Sequence, residues 1–118
     1  MDLKLSYEEP ELGTSVIAVS GELDAHTAPT LKGRLAHLIE GGTHRLIIDL
    51  EGLEFLDSTG LGALLSALKR ARAHDGSVDI ICTQIRILRI FKITSLDRVF
   101  DIYDSASDVF AAQSGKNG

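Results

Sequence analysis

Residues 46–73, LIIDLEGLEFLDSTGLGALLSALKRARA, contain a strand, a turn and a helix in immediate succession. Leu46, Ile47 and Ile48, followed by Asp49 and Leu50, form a short apolar run rich in branched side chains, which predicts a buried strand. Leu61, Leu64, Leu65, Leu68 and Ala71 then recur on one face, with Lys69, Arg70 and Arg72 on the other, which predicts an amphipathic helix. Between them, Leu56-Asp57-Ser58-Thr59-Gly60-Leu61-Gly62 puts small polar residues where the helix begins. Backbone N–H groups have no intrahelical partner there, and the positive end of the helix dipole faces outward. A hydroxyl at that point is exposed, and the local field tolerates a phosphate.

Working toward the N-terminus, Gly41-Gly42 stops a preceding helix on which Ala28, Leu31, Leu35, Leu38 and Ile39 share a face. That helix starts after Thr27 with an early Pro29, whose missing N–H the first turn does not need. Thr14–Ser20 is nearly all apolar and predicts a central strand, and Gly21–Thr27 is the loop that follows it. Leu3, Leu5 and Tyr7 alternate with polar neighbours as in a half-exposed strand, and Pro10–Gly13 supplies the hairpin turn. Toward the C-terminus, His74-Asp75-Gly76 ends the central helix and Ser77–Thr83 is a further strand. Ile85, Leu88 and Phe91, with Ile87 and Ile90 beside them, then predict a short third helix ending around Ile93-Thr94-Ser95. Phe100–Tyr103 is a short edge strand, and Asp104-Ser105 caps a last helix through Ala112. The small polar stretch 113–118 reads as a flexible tail.

The order β-β-α-β-α-β-α-β-α predicts an α/β fold, a mixed sheet crossed by helices, in a single domain over 1–112. The 118 residues suffice for one core. No apolar run approaches the roughly 18–20 residues of a membrane span, and the acidic start lacks a secretory signal, so neither membrane nor export is expected. Cys82 is the single cysteine, which fits a reducing, cytoplasmic setting. A net charge of −5 and the scarcity of aromatic residues argue against nucleic acid as a partner. His26, His37, His44 and His74, even with Cys82, show no metal-ligand spacing, so no metal or cofactor is expected. Ser58 lacks the G-x-S-x-G elbow of a hydrolase and Gly60-Leu61-Gly62 lacks the spacing of a nucleotide loop. Cys82, ending an apolar strand, reads as a buried structural residue.

Parallel strands deliver the loops that follow them to one edge of the sheet. Asp24, Asp57, Ser58 and Thr59 are therefore expected on a shared surface. Asp57 and Ser58 suit helix capping; Ser58 equally suits modification, since a phosphate adds about −1.5 to −2 charges next to Asp57 and Asp24. Gly60 and Gly62 cost up to about 1 kcal/mol each against Ala inside a helix, which points to close approach by a partner or close packing on a strand. Arg86, Arg89 and Lys92 form either a solvated face or a charge-matched contact with an acidic partner.

Gly21-Glu22-Leu23-Asp24-Ala25-His26-Thr27-Ala28 and Leu56-Asp57-Ser58-Thr59-Gly60-Leu61-Gly62 resemble the two signature segments of bacterial anti-sigma factor antagonists, the stand-alone STAS domains. The likeness extends from the first strand to about Phe110 and includes ILRIFKITSL at 87–96. It implies partner switching: the unphosphorylated chain binds an anti-sigma factor that is also an ATP-dependent serine kinase, and so frees a sigma factor. Phosphorylation of the residue matching Ser58 ends binding, and a metal-dependent PP2C-type serine phosphatase restores it. The resemblance makes Ser58 the phosphoacceptor and Asp24, Asp57, Thr59, Gly60, Leu61 and Gly62 the docking surface, in a non-enzymatic protein that is a monomer or weak dimer. The alternatives within the family are a stressosome-type scaffold component and a nucleotide-binding STAS module.

Overall fold

The computed structural model describes residues 2–116, with side chains through 112. Strands β1 (Leu3–Glu11), β2 (Thr14–Leu23), β3 (Arg45–Leu56), β4 (Ser77–Ile81) and β5 (Asp101–Tyr103) form one sheet in chain order. Helices α1 (Ala28–Glu40), α2 (Ser58–Ala73), α3 (Ile85–Ile93) and α4 (Ala106–Lys116) alternate with them, and a 3-10 turn at Leu96–Arg98 precedes β5. The β1–β2 pair is antiparallel and the remaining pairs are parallel. This is the mixed α/β sheet expected from the periodicities.

Strand order never reverses, so crossovers of one hand put their helices on one face of the sheet. Leu31, Leu35 and Ile39 of α1, Leu61, Leu64 and Leu68 of α2, and Ile87 and Phe91 of α3 share a core with Ile17, Val19, Leu46, Ile48 and Ile80. The tail-end helix is free of that constraint and covers the opposite face. Val109 of α4 packs there on Val16, Ile47 and Ile81, and the Arg45 guanidinium lies 5.4 Å from the Phe110 ring centroid. Ser105 caps α4 by accepting from the Asp108 N–H at 3.2 Å. The backbone of α4 continues to Lys116, beyond the expected end at Ala112. Part of the tail read at 113–118 lies outside the described residues.

Two expectations are corrected by the packing. β2 and β3 run past Ser20 and Leu50 to Leu23 and Leu56, so much of what reads as loop is strand. The extension is hidden because register shifts between Ala18 and Ser20 and between Gly21 and Glu22 break the period-2 pattern. Gly21 takes φ +95° at the second shift, and a Cβ there would collide with the Asp2 carbonyl. In α3, Ile87 and Phe91 are the buried residues, and Phe91 meets Phe100 edge to face at 5.9 Å. Ile85, grouped with Leu88 and Phe91 by its spacing, does not share their face and is 71% exposed.

Candidate functional site

The extended strands carry the site. Leu23 and Leu56 are register partners at the ends of β2 and β3, and the Asp57 N–H donates to the Leu23 carbonyl at 3.3 Å. The two sequence segments around Asp24 and Ser58, far apart in the chain, therefore meet at the same edge.

Asp57 holds an extended backbone (φ −112°, ψ −177°), and its Oδ1 accepts from the Gly60 N–H at 2.9 Å. This is an N-cap, satisfying one donor of the open helix turn. Ser58 is then the first helical residue; it is exposed, and its hydroxyl makes no hydrogen bond among the described residues. Thr59 and Gly62 are also exposed. Gly60 and Leu61 are not: Gly60 is buried, and Leu61 is a core residue at 5% exposure. A partner cannot touch the Leu61 side chain, so Gly60 and Leu61 support the surface from below rather than form it. A Cβ on Gly60 would sit 2.8 Å from the Leu23 carbonyl oxygen and from side-chain carbons of Leu23 and Leu56, whereas one on Gly62 would meet nothing within 4 Å.

Asp24 organises the second segment. Its Oδ1 accepts from the N–H groups of His26 at 2.9 Å and Thr27 at 3.0 Å. Chiefly the Thr27 N–H, opposed by partial burial and aided by His26, holds this carboxyl below its ordinary 3.8. Thr27 precedes α1 in the N-cap position, but its side chain makes no cap bond. Instead its hydroxyl donates to the Glu22 carbonyl at 2.8 Å and accepts from the Asp24 N–H at 3.0 Å. The loop is thus tied into a closed turn that fixes where Asp24 stands.

Glu22, Asp24, Ala25, His26, Phe55 and Asp57 line one surface cavity. Phe55, half exposed, gives it an apolar wall between carboxylates. A second hollow, a groove between α1 and α2, is lined by Ala28, Pro29, Lys32, Thr59, Gly62 and Ala63. Ser58 is thus flanked in sequence by Asp57, which lines the acidic, aromatic-walled hollow, and by Thr59, which lines the groove of small residues.

The polar clamp that braces this edge has no counterpart among the expectations drawn from sequence. Gln84 Nε2 donates to the carbonyls of Leu50 at 3.2 Å, Glu51 at 2.7 Å and Leu53 at 2.7 Å. Thr83 Oγ1 donates to Glu51 Oε2 at 2.6 Å, and the Thr83 N–H to Glu51 Oε1. The loop after β4 is thereby fastened to the extension of β3, whose carbonyls have no neighbouring strand on that side. A lone Gln after an apolar strand gives no local sign of such a long-range role.

Among the described residues no hydrogen bond joins His26 to Ser58, and no group of three or more potential metal ligands lies together. Cys82 is buried, and that burial raises its thiol pKa. Among the described residues no helix is long and apolar enough to cross a membrane.

The STAS domain family matches residues 8–109. An anti-sigma-B factor antagonist of Staphylococcus aureus is 38% identical over 80 residues, covering 68% of this chain and 74% of the relative. Among solved structures, an anti-sigma factor antagonist from Mycobacterium paratuberculosis superposes with a TM-score of 0.85 at 30% identity, covering 94% of this chain and 93% of the other. The anti-sigma factor antagonist SpoIIAA in its unphosphorylated form gives 0.81 at 21% identity, covering 95% and 97%. The Bacillus cell fate determinant SpoIIAA in its phosphorylated form gives 0.73 at 22% identity, covering 92% and 99%. The latter two share this fold.

Proposed function

The chain belongs to the STAS domain family, and from that premise we propose that it is an anti-sigma factor antagonist switched by phosphorylation of Ser58. Unmodified, it binds an anti-sigma factor with serine kinase activity and so releases a sigma factor. That kinase phosphorylates Ser58 and binding ends; a PP2C-type serine phosphatase restores it. The protein acts as ligand and substrate in the bacterial cytoplasm and catalyses no step.

The observation that carries this reading is the exposed, unbonded Ser58 hydroxyl at the first position of α2, whose neighbours Asp57 and Thr59 line two surface hollows. A kinase needs a hydroxyl it can reach, and a partner surface needs small, firm relief to close upon. Ser58, Thr59, Gly62, Ala25 and Pro29 provide that relief, and Glu22, Asp24 and Asp57 offer carboxylates to a cationic side chain of the partner. Phe55 would lie under that cation.

Loss of binding follows from desolvation. A serine hydroxyl loses little when a partner covers it. A phosphate carries about −1.5 to −2 charges, and the nearby carboxylates supply no countercharge. Burying an unpaired ion costs several kcal/mol, and each 1.4 kcal/mol weakens binding about tenfold, so release by at least about a hundredfold is expected.

The test is calorimetric titration of the purified anti-sigma kinase of the same organism with wild-type protein, Ser58→Ala and Ser58→Asp. Wild type and Ser58→Ala should bind alike without ATP, and Ser58→Asp should bind at least about tenfold more weakly, since it carries less charge than a phosphate. Incubation with Mg-ATP should put one phosphate on Ser58 by mass spectrometry and none on Ser58→Ala. Phosphate on Thr59 instead, or undiminished binding by Ser58→Asp, refutes the assignment.

A further inference from the structure

Helix α3 carries three cations and no anion, in a chain whose net charge is −5. Arg86, Arg89 and Lys92 are all exposed, and none forms an ion pair among the described residues, where the pairs found are Arg45–Glu11 and Arg70–Glu40. The inward face of the helix is settled by Ile87 and Phe91. That phase sends Ile85 and Ile93 outward, at 71% and 76% exposure. Ile85, Arg89 and Ile93 stand four residues apart and run in line down the outer face, flanked by Arg86 and Lys92.

An isolated exposed isoleucine requires no explanation. Two of them with a cation between and two beside, on an otherwise anionic molecule, make a stripe of definite chemistry. Its place in the fold links it to the switch. β3 and β4 are parallel, so α2 and α3 both begin at the carboxyl edge of the sheet. Gln84, the residue just before α3, is fastened to the β3 carbonyls a few residues below Ser58. The first turns of α2 and α3 therefore lie at one edge of the sheet, linked by the extension of β3.

We propose that the outer face of α3 is a second half of the docking surface, receiving an acidic segment of the anti-sigma kinase with apolar residues between its carboxylates. This rests on the reading of Ser58 given above. Charge complementarity selects the occupant, since cations without internal partners on an anionic chain both orient an acidic protein and hold it. A membrane surface fits less well: an interfacial helix buries a broad apolar face, and here that face is spent on the core. The two halves differ in control. Phosphorylation acts on the Ser58 half and leaves the α3 half intact, so the phosphorylated chain keeps a weak, salt-sensitive hold on its kinase.

The experiment titrates the purified kinase with two variants, Arg86→Glu/Arg89→Glu/Lys92→Glu and Ile85→Ser/Ile93→Ser, each made alone and in combination with Ser58→Asp. All five α3 positions are exposed, and far-UV circular dichroism with thermal melting verifies the fold of each variant. The charge-reversal variant should bind about tenfold or more weakly at low salt and lose the salt dependence of wild type. The serine pair should lose about tenfold at every salt concentration. Both losses should recur in the Ser58→Asp background, as for independent sites.

Unchanged affinity in both variants overturns the proposal. So does a loss seen only in self-association by size-exclusion chromatography, or only in flotation with phosphatidylcholine–phosphatidylglycerol vesicles. If Ser58→Asp binds like wild type while the α3 variants do not, the serine switch fails and this surface stands. The reverse result removes the surface and keeps the switch.

Discussion

Gly60 and Gly62 stand two residues apart in the same turn of α2, yet alanine should act on them in opposite directions. Gly62 is an exposed helix-interior position where a Cβ meets nothing within 4 Å. Gly62→Ala should therefore gain nearly the full propensity difference, about 0.8–1.0 kcal/mol, raising the melting temperature by about 3–5 °C for a chain of this size. Gly60→Ala gains the same propensity but places its methyl 2.8 Å from Leu23 Cγ, the Leu23 carbonyl oxygen and Leu56 Cδ1. One of those neighbours is backbone and cannot swing aside, so the first turn of α2 must lift from the end of β2. Overpacking costs about 1–3 kcal/mol, and contact with fixed backbone puts Gly60 in the upper part of that range, about 2–3 kcal/mol, which leaves a net loss of about 1–2 kcal/mol. Urea denaturation followed by circular dichroism measures both. Binding then separates the second consequence. Gly62 lines the α1–α2 groove beside Thr59, so the methyl that stabilises the fold should intrude on a partner seated there and weaken the anti-sigma kinase complex about tenfold or more. A stabilised Gly62→Ala that binds like wild type removes the groove from the interface. A neutral or stabilised Gly60→Ala refutes the packing argument itself.

Asp57→Ala removes the cap on the Gly60 N–H and should cost about 1 kcal/mol in urea denaturation; no change means water replaces the carboxylate fully. Gln84→Ala leaves the carbonyls of Leu50, Glu51 and Leu53 without their shared donor and should cost about 1–3 kcal/mol, with faster hydrogen exchange at the β2–β3 extension, the region it braces. For Asp24, the folded carboxyl titrates below its ordinary 3.8. Its contribution to stability is therefore full above the unfolded value and is lost as pH falls through the lower folded value. Carbon-detected NMR titration should find Asp24 titrating below 3.8, and Asp24→Asn should flatten the stability profile below pH 4 (on the order of the unfolded pKa); an Asp24 titrating at or above 3.8 contradicts the turn geometry.

Element order was legible because periods of 2 and 3.6 residues alternate cleanly along the chain. So was the convergence of Asp24 and Ser58, since parallel strands leave no other arrangement. What escaped depended on contacts distant in sequence. The strand past Leu50 contains Glu51, Gly52 and Glu54, which look like loop until their partners on β2 are known. α3 offers isoleucine at 85, 87, 90 and 93, so hydrophobicity alone cannot fix its rotational phase; the contact of Phe91 with Phe100 does. Gly60 and Gly62 are indistinguishable by residue type, and the end of β2 makes them different. Thr27 and Gln84 act on carbonyls that local sequence does not identify. Helix periodicity suggests only that α4 ends near Ala112, and its backbone continues to Lys116.

The same geometry explains why a charge added at Ser58 should alter binding far more than folding. The carboxylates around the hydroxyl are already committed: Asp57 to the Gly60 N–H, Asp24 to the N–H groups of His26 and Thr27. They cannot turn away from a new anion without giving up those bonds. Repulsion from them is met by the favourable field of the helix terminus, worth about 0.3–1 kcal/mol for an anion in the first turn. Exposed unit charges interact by about 1 kcal/mol in water even at about 4 Å, so the two effects oppose each other at similar size and the fold has no reason to rearrange. A third effect enters when a partner seals the surface. Water is then removed from a dianion whose neighbours are carboxylates and small apolar groups, and the several kcal/mol of that desolvation fall entirely on the complex. A hydroxyl at the mouth of a well-capped helix on a rigid sheet edge is thus suited to a switch that acts on the partner and leaves the domain as it was.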